Sequence, residues 1–289
     1  MSTLVLPEFE LLLPQTIAEA VGYLAQYGKD VTVMAGGTDV LCQIKGGLRP
    51  PCILSLAEIP DLDYVHFDPA KGLRLGAMAT MAQVVESALV KENYPALWQS
   101  AAQNGTPQTR NAATVVGNIL RASPAGDCSC AVMAHGATVV LQGPGGTREV
   151  DIDEFWLDYL VTARKPDELA TEVRLAAPKK GARSAFSALN RTGQDLSKIS
   201  AAVVLEMNGT TCTDCRVAMG AVAPFILRLR GTEPHLKGAA VTEELIARAA
   251  AFASQEIRPI DDIRSTAEYR HAVCGPLLAR TIRSALKAA

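Results

Sequence analysis

Two short segments carry the residue types that bind a polar ligand. The first is Val33-Met34-Ala35-Gly36-Gly37-Thr38-Asp39, where a β-branched run stops at two glycines and a hydroxyl residue. Glycine lets a backbone approach an anion closely, and successive N–H groups then form an anion-binding nest. Thr38 adds a donor. No Gly-Lys-Ser/Thr follows, so the segment is not a P-loop, and it lacks the Gly-x-Gly-x-x-Gly of a Rossmann turn. The second is Thr114-Val115-Val116-Gly117-Asn118-Ile119, with polar residues set into an apolar stretch. Gly117 offers bare backbone and Asn118 an amide. Just beyond it, Ser123-Pro124-Ala125-Gly126-Asp127 supplies a fixed turn and one carboxylate. Taken singly, each segment also reads as an ordinary turn with local side-chain bonding.

Seven cysteines stand at 42, 52, 128, 130, 212, 215 and 274. An odd count in a chain this long does not suit a secreted disulfide framework, so reduced thiols in a cytoplasmic protein are expected. Cys128/Cys130 and Cys212/Cys215 together have the ligand number of an iron–sulfur cluster. The second pair, however, falls at the far end of an expected hairpin, and a strand of about nine residues spans ~30 Å. No cluster is expected. Cys128 and Cys130 are expected to be a plainly buried pair; the other reading is that they open a helix whose terminus, facing a ligand pocket, would lower a thiol's pKa. The four histidines, 66, 135, 235 and 271, are scattered and show no triad or metal spacing.

The elements that must position these residues can be read from periodicity. Residues 15–28 place Ile17, Ala20, Val21, Leu24 and Ala25 on one helical face, with Gly28 as C-cap. Val31–Ala35 and Cys52–Leu56 read as buried strands, so the first ~57 residues form a small α/β unit. A strand over 72–78, a Thr80-capped helix and a helix over 94–104 follow, then a polar, turn-rich passage from Gly105. Val139–Leu141 and Thr147–Val150 form a hairpin across Gly143-Pro144-Gly145-Gly146. A boundary is expected near Pro178–Gly181. Beyond it, strands Ile199–Met207 and Cys215–Val222 are joined by Asn208-Gly209, and helices cover 242–254 and 264–287.

The bulk numbers bound the function. The chain has 289 residues, 48% of them hydrophobic, and a net charge of −2, so no basic field is present for nucleic acid. No run reaches the ~18 apolar residues of a membrane span. The N-terminus carries two Glu and two Pro and has no basic segment, so it does not read as a signal peptide.

Taken together and in order, the Ala-Gly-Gly-Thr-Asp loop, the Thr114–Ile119 motif, the Ser-Pro-x-x-Asp turn and the later Gly220-Ala221-Val222-Ala223-Pro224 with Arg228 resemble the FAD-binding medium subunit of the molybdenum hydroxylases, the xanthine dehydrogenase and carbon monoxide dehydrogenase family. The resemblance runs over essentially the whole chain. It implies an α+β chain: a two-subdomain FAD-binding fold of the vanillyl-alcohol-oxidase/PCMH type over 1–178, with subdomains of about 1–57 and 58–178. A C-terminal domain with a small antiparallel sheet and helices would occupy 179–289.

It further implies that Met34, Ala35, Gly36, Gly37, Thr38 and Asp39 wrap the FAD pyrophosphate, that Thr114, Val115, Gly117 and Asn118 line the other side, and that Asp127 adds its carboxylate. Lys198, in Asp195-Leu196-Ser197-Lys198, would lie near the flavin ring, where a cation stabilises an anionic reduced form. No catalytic residue is implied on this chain. The partners implied are a molybdopterin-binding large subunit, a small subunit with two [2Fe–2S] clusters, and an external acceptor such as NAD or a quinone. Two departures stand out. Val116 occupies a position where relatives have Gly, which suits an ordinary backbone with added apolar contact. The Cys128-Ser129-Cys130 run follows Asp127 where relatives have small residues or Pro. The alternatives are a self-contained flavin oxidase of the vanillyl-alcohol-oxidase superfamily, disfavoured by a cap of only ~110 residues, and a non-catalytic flavin-binding assembly partner.

Overall fold

A computed structural model describes residues 6–287. The chain opens with β1 (Glu10–Leu12), α1 (Ile17–Tyr27), β2 (Val31–Met34), α2 (Val40–Lys45) and β3 (Cys52–Ser55). Thr16 caps α1, its Oγ1 accepting from the Glu19 amide at 3.1 Å, and the helix ends at Gly28 with φ +56°. Ala20, Val21 and Leu24 are its buried face. They cover a three-stranded parallel sheet of order β1-β3-β2, the small α/β unit expected from the pattern.

The next stretch contains β4 (Val65–Asp68), β5 (Gly72–Gly76), α3 (Met81–Glu86), α4 (Ala88–Asn93), α5 (Pro95–Gln103), α6 (Pro107–Ala112), α7 (Val115–Leu120), α8 (Asp127–His135), β6 (Thr138–Gly143), β7 (Gly146–Asp151), α9 (Ile152–Phe155), β8 (Trp156–Asp158), β9 (Val161–Thr162) and β10 (Leu169–Leu175). Its antiparallel sheet runs β4-β5-β10-β6-β7, so the last strand returns to the centre. Periodicity does not announce β10, because it is buried on both faces and carries a register shift between Ala170 and Glu172. The polar passage after Gly105 is not loop: it folds into α6 and α7. Thr106 and Thr114 cap these helices and Pro107 opens the first, so capping and not an apolar stripe defines them.

The remainder is β11 (Ala182–Leu189), β12 (Ile199–Asn208), β13 (Thr211–Gly220), β14 (Leu227–Arg228), β15 (Ala239–Ala240), α10 (Glu243–Glu256) and α11 (Ala267–Lys287). The sheet order is β11-β12-β13-β14, with β15 on the end of β13. Its two faces serve different cores. Ala201, Val203, Leu205 and Val217 pack under α10 and α11, while Phe186, Ala202 and Ala218 complete the core around α5 and α8. Among the described residues, no helix is long and apolar enough to cross a membrane.

One ion cluster fastens this last sheet to the middle of the chain. Asp153 on α9 accepts from Arg216 of β13 at 2.7 Å, Arg228 of β14 at 2.7 Å and Arg230 at 2.9 Å. Arg228 also grips Glu233. Burial alone would raise the Asp153 pKa, but Arg216 and Arg228 outweigh it and hold the carboxyl below its usual range. The cluster's contribution is therefore present above the ordinary carboxyl pKa and is lost as pH falls through the lower folded value. Removing the carboxylate leaves half-buried guanidiniums facing one another. We expect Asp153→Ala to cost about 3 kcal/mol in urea unfolding at neutral pH. Arg230→Ala, at the exposed rim, should cost less than about 1 kcal/mol. Equal small losses in both variants would contradict this reading of the cluster.

Candidate functional site

A cleft of about 960 Å³ runs between the parallel sheet, the α6–α8 region and the C-terminal segment. That is at the upper end of the range for cofactor sites, roughly 300–1,000 Å³. Both glycine segments lie on its walls. Ala35, Gly36, Gly37, Thr38 and Asp39 line one side; Thr114, Val116, Gly117 and Asn118 line the other.

The two segments touch through bare backbone. A Cβ built on Gly36 would lie 1.6 Å from the Ala112 carbonyl oxygen and 3.3 Å from the Ala113 nitrogen, so only glycine fits. Gly37 has φ +73°, which turns the chain into α2. As a result the amides of Gly36, Gly37, Thr38, Asp39 and Val40 donate to no protein acceptor among the described residues, while all five residues line the cleft. A run of unpaired amides at the start of a helix is a nest for an anion. Asp39 does not spoil it. Its carboxylate is engaged by Arg121 Nε at 2.8 Å and Gln43 Nε2 at 2.5 Å. Arg121 thus joins the two segments and brings a cation to the site.

The second segment is held by its own caps. Thr114 Oγ1 accepts from the Gly117 amide at 3.0 Å. A Cβ on Gly117 would meet that oxygen at 2.6 Å, so the bare residue keeps the cap intact. Val116 is helical, with an ordinary backbone, and adds an apolar surface to the cleft. Asn118 Oδ1 accepts from the Ser129 amide at 3.2 Å and so caps α8 from outside. That fixes the orientation of its side chain and leaves Nδ2 as the free end.

Four of the expected site residues stand behind the wall. Met34 lies beneath the loop, its Sδ 3.3 Å from where a Gly37 Cβ would be. Val115 is fully buried and its amide donates to Ala79 O at 3.1 Å. Asp127 is buried in the first turn of α8, behind Gly126 and Ser197, and accepts from Ser197 Oγ at 2.6 Å. Lys198 also does not line the cleft. Ser197, just before β12, borders the cleft, whereas the Lys198 Nζ lies 5.6 Å from the Tyr269 ring centroid, away from it. The buried cation at that end is Arg270 of α11, whose guanidinium holds Lys198 O at 2.9 Å, Ile260 O at 2.5 Å and Asp262 at 2.8 Å.

Cys128 and Cys130 are a plainly buried pair and not a reactive helix terminus. Both are fully buried, and burial pushes both thiols up to about 12. The sequence gives no sign of three further features at the cleft. Ala122, Leu160 and Ala221 have φ of +52°, +57° and +60°. Leu160 donates its amide to Ala122 O and Ala221 to Pro124 O, so the 121–126 turn is clamped from two sides. Such residues cost on the order of 1–3 kcal/mol each and persist where the surroundings over-determine them.

Asp127 is the one strongly perturbed carboxyl at this site. Burial raises its pKa to about 6, against a smaller opposing effect of Ser197. Because the folded value lies above the ordinary one, the folded state binds the proton more tightly. Stability is thus full below about pH 4 and declines as pH rises to about 6. Asp127→Asn keeps the acceptor for Ser197 and removes the charge. The variant should match the wild type in urea unfolding near pH 4 and exceed it by on the order of 3 kcal/mol at pH 7. A difference independent of pH would contradict this assignment.

Comparison with known proteins places the chain in a family. Residues 7–178 match the FAD binding domain in molybdopterin dehydrogenase, and residues 184–285 match the CO dehydrogenase flavoprotein C-terminal domain. The carbon monoxide dehydrogenase medium chain of Hydrogenophaga pseudoflava is 32% identical over 280 residues, covering 96% of this chain and 97% of that one. The nicotinate dehydrogenase FAD-subunit of Eubacterium barkeri is 31% identical and covers 82% of each chain. Among solved structures, carbon monoxide dehydrogenase from Hydrogenophaga pseudoflava superposes with a TM-score of 0.94 at 31% identity, covering 98% of this chain and 99% of that one. With both domains matched and relatives above 30% identity over nearly its whole length, the chain belongs to the FAD-binding medium subunits of the molybdenum hydroxylases.

Proposed function

We propose that this chain holds FAD along the cleft and relays electrons for a multi-subunit hydroxylase. In this reading a molybdopterin-binding large subunit oxidises the substrate, a small [2Fe–2S] subunit delivers the electrons, and an external acceptor such as NAD or a quinone removes them. The complex would be cytoplasmic. The flavin supplies the redox chemistry between the clusters and that acceptor. The observation that carries the reading is the run of five unpaired amides at Gly36–Val40, facing a second capped segment across one cleft.

The chain's own residues then have distinct tasks. The amides of Gly36 to Val40, with Thr38 and the Arg121 cation, receive the pyrophosphate. Gly117 and the free amide of Asn118 bind from the opposite wall, with Thr114 holding both in place through its cap. Met34 and Val115 support these loops from below, and Asp127 and Ser197 set the wall beside Gly126. Arg270 fixes the segment from Ile260 to Asp262 over the C-terminal end. Lys198, turned toward Tyr269, would influence a flavin only through its field. None of these residues is needed as an acid or base toward a carbon substrate.

Anaerobic reduction of the FAD-loaded chain tests this. Alone, it should show a flavin spectrum that organic substrates bleach only slowly. With the large and small partner subunits and the substrate of the complex, bleaching should become at least a hundredfold faster. A chain that turns over an organic substrate at full rate by itself would overturn the proposal and favour a self-contained flavin oxidase.

A further inference from the structure

The cleft holds a second cation with no task so far. The C-terminal segment lines the cleft with Ser197, Arg270 and the stretch from Ile260 to Asp262. The parallel-sheet side is different. There Val33, Leu56, Ala77 and Leu169 line the cleft, and all four belong to the core of the parallel sheet. Arg164 lines the cleft together with Glu168 and Leu169, where β10 begins.

The Arg164 guanidinium is anchored but unpaired. Its Nη1 donates to three carbonyls, Glu168 O at 2.6 Å, Lys165 O at 2.9 Å and Pro166 O at 3.4 Å. Three acceptors on one nitrogen hold the guanidinium plane still, so little freedom is lost when the rest of the group binds. Nε and Nη2 donate to no protein acceptor among the described residues, and no carboxylate there forms a salt bridge with the group. The adjacent carboxylate is already taken. Arg148 holds both oxygens of Glu168, at 2.6 and 2.8 Å, and the Lys165 amide donates to one of them at 2.7 Å. Burial lowers the Arg164 pKa, against the opposing pull of Glu168 and Asp167. A half-desolvated cation with two unused donors calls for a partner from outside the chain.

The pyrophosphate does not need it, because the Gly36–Val40 amides and Arg121 already serve that group. Where FAD is the ligand, as proposed above, with its flavin toward the C-terminal segment, the adenosine lies against Val33, Leu56 and Leu169. Adenine is flat and carries ring-nitrogen acceptors. The aliphatic wall covers one of its faces. Tyr159 is the only aromatic side chain lining the cleft among the described residues, and it is 59% exposed, so no buried aromatic ring covers the other face. A planar guanidinium can do so, since it stacks on aromatic faces and donates hydrogen bonds as well. We propose that Arg164 determines specificity for the adenine of the dinucleotide: its guanidinium closes the ring against the aliphatic wall and donates through Nε or Nη2 to a ring nitrogen.

Titration of the flavin-free full chain with FAD, followed by competition with ADP, tests this. Arg164→Ala should weaken FAD binding by about tenfold or more, the scale of one lost base-stacking contact, and ADP by the same factor. Arg164→Lys keeps the charge without the plane and should stay about fivefold or more weaker than the wild type. At saturating FAD, the visible circular dichroism of the flavin should be unchanged in both variants, because the flavin ring lies toward the other side. FAD and ADP affinities within about twofold of the wild type in Arg164→Ala would overturn the assignment and leave the FAD reading intact. Full recovery in Arg164→Lys would also overturn it, as would altered flavin dichroism, which marks distortion of the whole cleft. A wild-type chain that binds no FAD would overturn the FAD reading itself, and this assignment with it.

Discussion

The close approach of Gly36 to the Ala112–Ala113 backbone holds the site together. With no side chain between them, the end of β2 sits directly on the α6–α7 junction. That junction is in turn tied to the second sheet, since Met81 donates to Ala113 O at 2.8 Å and Val115 donates to Ala79 O at 3.1 Å. Three backbone contacts thus connect the parallel sheet, the capped helices and the antiparallel sheet. The cost of this packing is a loop whose amides cannot find protein acceptors. In the proposed reading a bound anion would resolve it, with the Arg121 cation, paired to Asp39, beside it.

The C-terminal segment matters to the site as a clamp more than as a source of ligands. One face of its sheet completes the core around α5 and α8, and Asp153 draws three of its arginines onto α9. Ala221 then presses on the 121–126 turn from one side while Leu160 presses from the other. Left-handed backbone at Ala122, Leu160 and Ala221 is tolerable only inside such a vice. A rigid wall suits a cofactor that must be held in one place.

Much of this was legible in the residues themselves, and the exceptions have physical causes. The apolar stripe of α1, the glycine that ends it and the short runs of β2 and β3 follow local rules, and they match the fold. The glycine segments signalled a ligand because Gly-Gly-Thr-Asp and Gly-Asn have few other uses together. Helices α6 and α7 were hidden because their caps, not their composition, define them. Strand β10 was hidden because a strand buried on both faces does not alternate. Lys198 and Ser197 are neighbours just before β12, and which of them borders the cleft is set by tertiary packing that local sequence does not encode. The positive φ angles at alanine and leucine leave no trace in sequence at all. Arg121 carries no local signal because its value is its partner, Asp39, which lies 82 positions earlier.

Amide hydrogen exchange on the loop tests the central claim most directly. In the flavin-free chain, the amides of Gly36 to Val40 lack acceptors and should exchange quickly for residues in a folded wall. Saturating FAD should slow exchange in a peptide spanning residues 35–41 by at least tenfold, with a smaller change across residues 114–118. If FAD binds stoichiometrically and exchange in 35–41 is unchanged, the pyrophosphate does not rest on these amides and the proposed site is wrong.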